Sequence, residues 1–108
     1  MQSYLVQVAY TPEAWAAMVK NPQNRLEAVR PAVEKLGGKF DHAWLAFGDY
    51  DLVGVIHMPE NVDAAAFAIA VAAGGGCKAF KTTPLLGLDE GIEAMRRAQG
   101  AGYSKPGG

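Results

Sequence analysis

Two histidines and one aspartate are the residues of this 108-residue chain whose types and spacing suggest acid–base chemistry. His42 and His57 lie in two neighbouring segments, "KFDHAWLAFG" and "YDLVGVIHM", which are separated by Gly48 and Asp49. Both segments have strand-like patterns, and a Gly-Asp pair between them is typical of a hairpin. Because histidine titrates near neutral pH, we predict His42, His57 and Asp51 as candidate catalytic residues. The alternative is that both imidazoles only form hydrogen bonds at a subunit contact.

The predicted hairpin determines which residues share a face of the sheet. A two-residue turn at Gly48 and Asp49 would place Leu45 opposite Leu52 and would also place Asp41 opposite Ile56. In the same register the two histidines are diagonal neighbours on the other face, with Cα atoms roughly 7–8 Å apart.

A metal site at these histidines is weakly supported, because Asp51 pairs with Ala46 and lies two positions along the ladder from His42. Metal sites need ligands that converge closely. Haem binding would rest on the same two histidines. We therefore predict neither a metal nor a cofactor.

One face of the hairpin is too apolar to remain in water. Its residues are Phe40, His42, Trp44 and Ala46 on the first strand, and Asp51, Val53, Val55 and His57 on the second. Helices on one side of an antiparallel sheet leave the other side exposed, and an exposed apolar patch indicates association. We predict a homodimer or higher oligomer whose sheets pair through Phe40, Trp44, Val53 and Val55.

Four residues are candidates for ligand contact. Trp44 and Tyr50 lie on and beside the hairpin, Lys81 is a possible partner for an anionic group, and Trp15 on the first helix would cover a pocket between helix and sheet. Each has a structural alternative. Tyr50 and Asp51 suit turn chemistry, Lys81 suits a solvated edge strand, and Trp15 suits core packing.

The remaining elements follow from caps and periodicity. Residues 3–10 and 77–86 are strand-like, Thr11 and Pro12 begin one helix, and Asn21 and Pro22 are predicted to begin a second that is kinked at Pro31. Asn61 is predicted to cap an alanine-rich third helix. Gly37–Gly38 and 74–76 end the second and third helices. A fourth helix spans residues 89–98.

The element order βαββαβ, followed by a helix, predicts an α+β ferredoxin-like fold with a four-stranded antiparallel sheet. We expect one domain over residues 1–98 and a mobile tail over 99–108.

Composition excludes several functional classes. Ten Lys and Arg balance eleven Asp and Glu, so no positive field would attract nucleic acid. The N-terminus lacks a basic signal region, and the longest apolar run is about half of a bilayer span, which predicts a cytoplasmic protein without membrane contact. One cysteine, Cys77, cannot form an internal disulfide. The chain also lacks the Gly-x-Ser-x-Gly, Cys-x-x-Cys and His-Glu-x-x-His motifs.

The run Gly48, Tyr50, Asp51, then "LVGVIHMPEN", the alanine-rich helix, "KAFKTTPLL" and "DEGIEAMRRA" resembles the GYD domain family. The likeness extends from the first strand to about Ala98. It implies a dimeric α/β barrel, in which ferredoxin-like monomers pair their sheets face to face. It implies no particular reaction, because related folds serve monooxygenases, haem-degrading enzymes, isomerases and ligand sensors.

Together these features predict a protein that binds a small apolar or weakly anionic organic ligand. One alternative is a cofactor-independent enzyme of monooxygenase or isomerase type that uses Asp51 and a histidine. The other is a purely structural homo-oligomer. Whether the chain is an enzyme stays open at this point.

Overall fold

The computed structural model of the chain describes residues 1–107. Four strands and four helices occur in the order β1 Gln2–Tyr10, α1 Pro12–Lys20, α2 Arg25–Lys35, β2 Lys39–Leu45, β3 Leu52–Met58, α3 Asn61–Gly74, β4 Cys77–Leu85 and α4 Leu88–Gln99. The strands form one antiparallel sheet in the order β2-β3-β1-β4. This arrangement confirms the predicted α+β ferredoxin-like fold with an additional C-terminal helix.

The core lies between one face of the sheet and the helices α2 and α3. Its buried members are Tyr4, Val6, Phe40, Ile56 and Met58 from the sheet, Val33 from α2, and Ala64 and Phe67 from α3. Leu26 and Val29 of α2 and its C-cap Leu36, which are spaced as one helical stripe, pack against this core. Gly37, with φ of 83°, supplies the left-handed residue that ends α2.

Thr11 caps α1 as predicted, since its hydroxyl accepts a 3.1 Å hydrogen bond from the N–H of Ala14. The predicted start of the second helix at Asn21 and Pro22 is wrong. Asn21 instead ends α1 by donating its N–H to the carbonyl of Ala17, and Asn24 caps α2 by accepting the N–H of Leu26 at 3.0 Å. Asparagine suits either position, so the sequence alone did not distinguish them.

The predicted cap of the third helix is also displaced, by one residue. Glu60 is the cap of α3, and its N–H donates to the Asp63 carboxylate at 3.1 Å. Asn61 has a different partner, because its side-chain oxygen accepts the hydroxyl of the buried Tyr4. Asn61 therefore links the start of α3 to strand β1.

The predicted hairpin register is correct near the turn and wrong at the far end of the two strands. Leu45 pairs with Leu52 as predicted, but Ile56 pairs with Phe40 and not with Asp41. A β-bulge at Asp41 inserts one extra residue into β2 and thereby moves Phe40 to the helix side. Phe40 is 3% exposed in the core, which corrects its predicted place on the open face.

The β2–β3 connection is longer than the predicted two-residue turn. The strands end at Leu45 and begin again at Leu52, and the N–H of Ala46 donates to the carbonyl of Asp51 at 2.8 Å. Gly48 does not adopt the positive φ that a tight primed turn requires. Phe47, within this loop, is fully exposed.

The helix α4 is amphipathic but none of residues 88–99 is buried. Leu88, Ile92 and Met95 form an exposed apolar stripe along it. Within residues 1–107 no helix is both long enough and apolar enough to cross a membrane. Residues 100–107 contain neither strand nor helix, and residue 108 of the predicted tail lies outside the described part.

Candidate functional site

A cavity of about 400 Å³ lies between the helices and the sheet. Its apolar wall is formed by Val6, Val8, Phe40 and Leu52 from the sheet, Ala14, Ala17 and Met18 from α1, Val29 from α2, and Phe67, Ala70 and Val71 from α3. Phe67 also stacks edge-to-face on Phe80 of β4, with ring centroids 5.9 Å apart. Small alanine side chains on α1 and α3 leave this space open because they do not fill the gap between helix and sheet.

Three side chains with polar or ionisable groups lie near one another in the cavity wall, namely Tyr10, Arg25 and Cys77. Cys77 reaches it because a register shift in β4 makes it the partner of Tyr10, whereas Ala9 pairs with Ala79. The unpaired Lys78 absorbs the shift. Regular alternation along β4 would place Cys77 on the same face as Lys81, but the shift separates them, and Lys81 lies on the other face, opposite Gln7.

The environment changes the pKa of two of these groups. Burial raises the pKa of the Tyr10 hydroxyl, and the nearby Arg25 opposes this increase. Burial likewise raises the pKa of the Cys77 thiol, and the positive charge of Arg25 partly offsets this increase. Arg25 thus acts on both groups as the positive charge at this end of an otherwise apolar cavity.

Arg25 occupies an unfavourable position for a cation, at the first residue of α2. The helix dipole favours negative charge there, and only Glu27 of that first turn satisfies the preference. The Arg25 guanidinium donates a hydrogen bond of 2.8 Å to the side-chain oxygen of Gln23. An anion bound near Arg25 would interact favourably with both the guanidinium and the helix N-terminus.

A second, wider cleft of about 610 Å³ adjoins the cavity and shares Tyr10, Met18 and Arg25 with it. Trp15 and Trp44 line this cleft, so two of the predicted ligand-contact residues border the same space as the arginine. The other two do not: Tyr50 lies in the β2–β3 loop and lines neither space, and Lys81 faces away from both.

Asp51 connects β3 to β1 and α1. Its carboxylate accepts the N–H of Tyr10 at 2.9 Å and the indole N–H of Trp15 at 3.2 Å, while its own N–H donates to the carbonyl of Val8 at 2.7 Å. Trp15 in turn packs edge-to-face against Tyr10, at 5.6 Å between ring centroids. These bonds hold Asp51 as a structural anchor, and a catalytic role for Asp51 together with a histidine stays a prediction.

The other face of the sheet is open. It carries Ser3, Leu5 and Gln7 from β1, His42 and Trp44 from β2, Val53, Val55 and His57 from β3, and Lys81, Thr83 and Leu85 from β4. Trp44 is 54% exposed and stacks on His42 with ring centroids 4.4 Å apart. Trp44, Val53 and Val55 thus lie where the apolar patch was predicted.

The two histidines have different partners. His42 contacts Trp44, whereas His57 forms hydrogen bonds to Ser3 and Asp41. Among residues 1–107 no group of three or more His, Cys, Asp or Glu side chains is arranged to hold a metal ion.

Arg25, Tyr10, Ser3 and Asp41 were not among the site residues predicted from the sequence. One signal was present for Arg25, because a cation in the first turn of a helix is unfavourable unless something offsets it. The other three are brought to their sites by strand pairing and bulges, which a single sequence does not display.

The fold and the cavity define the chain as an α+β protein whose sheet covers an apolar, arginine-bordered pocket. Its sequence matches the model of the GYD domain over residues 4–95. The chain therefore belongs to the GYD domain family, as its hairpin motif and element order predicted. Comparison with curated proteins and with solved structures found no significant match.

Proposed function

We propose that this protein binds a small, largely apolar organic molecule with one anionic group, in the cavity between helices and sheet. The observation that carries this proposal is the convergence of Arg25 and Tyr10 at one end of an apolar space of about 400 Å³. That volume falls within the range of roughly 300–1,000 Å³ that is typical of small-molecule sites.

The two parts of the site contribute in different ways. Burial of the ligand's apolar part contributes about 25 cal/mol for each Å² removed from water, which makes chain length or ring size the main source of affinity. The charged group determines orientation, since Arg25 and the Tyr10 hydroxyl donate hydrogen bonds and an apolar wall does not. The wider cleft beside Trp15 gives a route by which a ligand reaches Arg25.

Thermal unfolding with a matched pair of probes tests this proposal. Decanoate and decanol have the same alkyl chain and differ in the charged group. We expect decanoate to raise the melting temperature more than decanol does. Arg25→Gln should remove that difference while leaving the effect of decanol unchanged.

Arg30→Gln is the matched control, because Arg30 lies on the same helix and lines neither space. It should retain the preference for decanoate. Val71→Phe, which fills the cavity, should reduce the rise in melting temperature that both probes cause. Ala65→Phe, on the exposed side of α3, should leave both effects unchanged. Equal stabilisation of the native protein and Arg25→Gln by decanoate would contradict the proposed anion site.

We also propose that a second copy of this chain covers the open sheet face. Support comes from the combination of Trp44, Val53, Val55 and Leu85 on one surface with partial exposure of each. The exposed stripe of α4 provides further apolar surface on the same chain. Two such faces in contact would remove from water an area that no element of a single copy covers.

A further inference from the structure

The cavity and the wider cleft meet at Arg25, which lies in the wall of both. Tyr10, Met18, Gln23 and Leu52 are also common to the two walls, so the two spaces adjoin. Within residues 1–107, Arg25 is the only charged side chain that lines either space. A single cation therefore lies between two largely apolar compartments, of about 400 Å³ and about 610 Å³.

The walls of the wider cleft leave apolar surface in contact with solvent. Val19 on α1 and Leu45 on β2 border this cleft and are 75% and 69% exposed. Pro22, between α1 and α2, and Leu26, on α2, line the same space. An apolar wall of this kind beside an anion site favours a further apolar group on the ligand that the anion site holds.

Trp15, which lines the wider cleft, is held in a fixed orientation. Its indole N–H donates to the Asp51 carboxylate at 3.2 Å, and its ring meets the Tyr10 ring edge-to-face with centroids 5.6 Å apart. A side chain that is already ordered loses little conformational entropy when a second ring packs on it, and aromatic rings attract one another. Trp15 therefore provides a preformed surface for an aromatic group, with Asp51 as its positioning residue.

The wider cleft remains accessible in the proposed assembly of two copies. Its walls come from α1, the connection between α1 and α2, the start of α2, and the helix side of the sheet. Ala43, Leu45 and Leu52 lie on that helix side, and among the lining residues within 1–107 only Trp44 belongs to the open face. A second copy on the open face would therefore cover Trp44 and leave the other walls of the cleft free.

We propose that the two spaces form one bipartite site for an amphiphile whose carboxylate lies between an alkyl chain in the cavity and an aromatic ring in the wider cleft. An N-acylated aromatic amino acid has this arrangement of groups. The inference rests on the proposed binding of an anionic ligand at Arg25. Because Arg25 lines both spaces, a carboxylate bound there has apolar wall on two sides, and a simple fatty acid fills only one of them.

Isothermal titration calorimetry of the full chain with N-decanoylglycine and N-decanoyl-L-phenylalanine tests this inference. The two probes share the alkyl chain and the carboxylate and differ only in the benzyl group. We expect N-decanoyl-L-phenylalanine to bind about tenfold more tightly or better, because the cleft removes its ring from water. Leu45→Asn should reduce that ratio to about twofold or less, since it replaces apolar wall by an amide. Val62→Asn, at an equally exposed position that lines neither space, should retain the ratio.

The two possible failures are distinguishable. Equal affinity for the two probes, with N-decanoylglycine still bound, would overturn the bipartite site and leave the proposed anion site in the cavity intact. Absence of binding by both probes would overturn the bipartite site together with the proposed function.

Tryptophan fluorescence locates the ring of the ligand independently. Trp44→Phe leaves Trp15 as the only tryptophan of the chain. N-decanoyl-4-nitro-L-phenylalanine carries a nitroaromatic quencher and should quench most of the Trp15 emission when it binds, whereas N-decanoylglycine should not. N-acetyl-4-nitro-L-phenylalanine at the same concentration controls for collisional quenching. Binding of the nitro probe without a change in Trp15 emission would place the ring outside the wider cleft and overturn the proposal.

Discussion

Cys77 is the cross-strand partner of Tyr10, and a bulge at Lys78 turns its thiol toward the cavity that Arg25 borders. The three side chains thereby combine a thiol, a phenol and a guanidinium at the end of an apolar space. This relationship makes the thiol a reporter of the electrostatics of the site.

The pKa of Cys77 should depend on Arg25. Burial raises the pKa of the thiol and Arg25 lowers it, so Arg25→Gln should raise that pKa further. The measurement is the rate of alkylation of Cys77 by iodoacetamide against pH. The midpoint should move to higher pH in Arg25→Gln and remain unchanged in Arg30→Gln. A midpoint unaffected by Arg25→Gln would contradict the proximity of the two groups.

The same groups predict loss of stability at alkaline pH. The folded-state pKa values of Tyr10 and Cys77 are raised, so folding favours their neutral forms. Their contribution is fully present below the unfolded-state pKa values and is lost as pH rises through the folded-state values. The free energy of unfolding, measured with urea between pH 8 and pH 11, should decrease less with pH for the double variant Tyr10→Phe, Cys77→Ala than for the native chain. An equal decline would show that other groups are responsible.

Removal of the Asp51 carboxylate should destabilise the fold. Asp51→Ala leaves the N–H groups of Tyr10 and Trp15 without their acceptor, and hydrogen bonds to a charged group contribute about 1.5–3 kcal/mol each. Chemical denaturation should show a loss of about 2 kcal/mol or more. Asp49→Ala, in the exposed part of the same loop, is the control and should cost under about 0.5 kcal/mol. Similar losses for both variants would refute the anchor role.

Substitution of Gly38 should be costly for steric reasons. A Cβ atom there would lie 2.7 Å from the carbonyl oxygen of His57 and would also collide with the Met58 sulfur. Gly38→Ala should therefore lower the free energy of unfolding by about 1–3 kcal/mol. Gly48→Ala meets no atom within 4 Å and should be nearly neutral. Native stability of Gly38→Ala would contradict this close approach of Gly38 to the β3 backbone.

Assembly through the open face should depend on Trp44 and not on exposed apolar residues in general. Trp44→Asp should shift the mass measured by analytical ultracentrifugation from dimer toward monomer. Phe47→Asp removes an aromatic ring that is fully exposed in the β2–β3 loop and should leave the dimer intact. A native protein that sediments as a monomer at micromolar concentration would contradict the proposed pairing.

Much of the fold was predictable because hydrophobic periodicity, helix caps and turn residues are local signals. The α2 stripe from Leu26 to Leu36 and the Leu45–Leu52 pairing both follow from spacing along the chain. The bulge at Asp41 was not predictable, since one inserted residue leaves the alternation of apolar side chains looking regular. Phe40 was consequently assigned to the open face although it is a core residue.

The candidate site was predictable only in part. Trp15 and Trp44 do line the cleft, whereas the residues that give the cavity its polarity come from the end of β1, the start of α2 and the start of β4. Their convergence depends on tertiary packing and on a second bulge. Asp51 was recognised from the hairpin motif, but its bonds to Tyr10 and Trp15 show that the motif stabilises the fold around the cavity.

The most direct test of ligand binding in the cavity is protection of Cys77 from iodoacetamide by decanoate, followed by mass spectrometry of the intact chain. Cys77 is the only thiol, so every adduct reports on one position. A ligand seated against Arg25 would cover the thiol, and saturating decanoate should slow modification by about tenfold or more in the native chain but not in Val71→Phe. Unchanged modification of Cys77 while decanoate still raises the melting temperature would place the ligand elsewhere and contradict the proposed site.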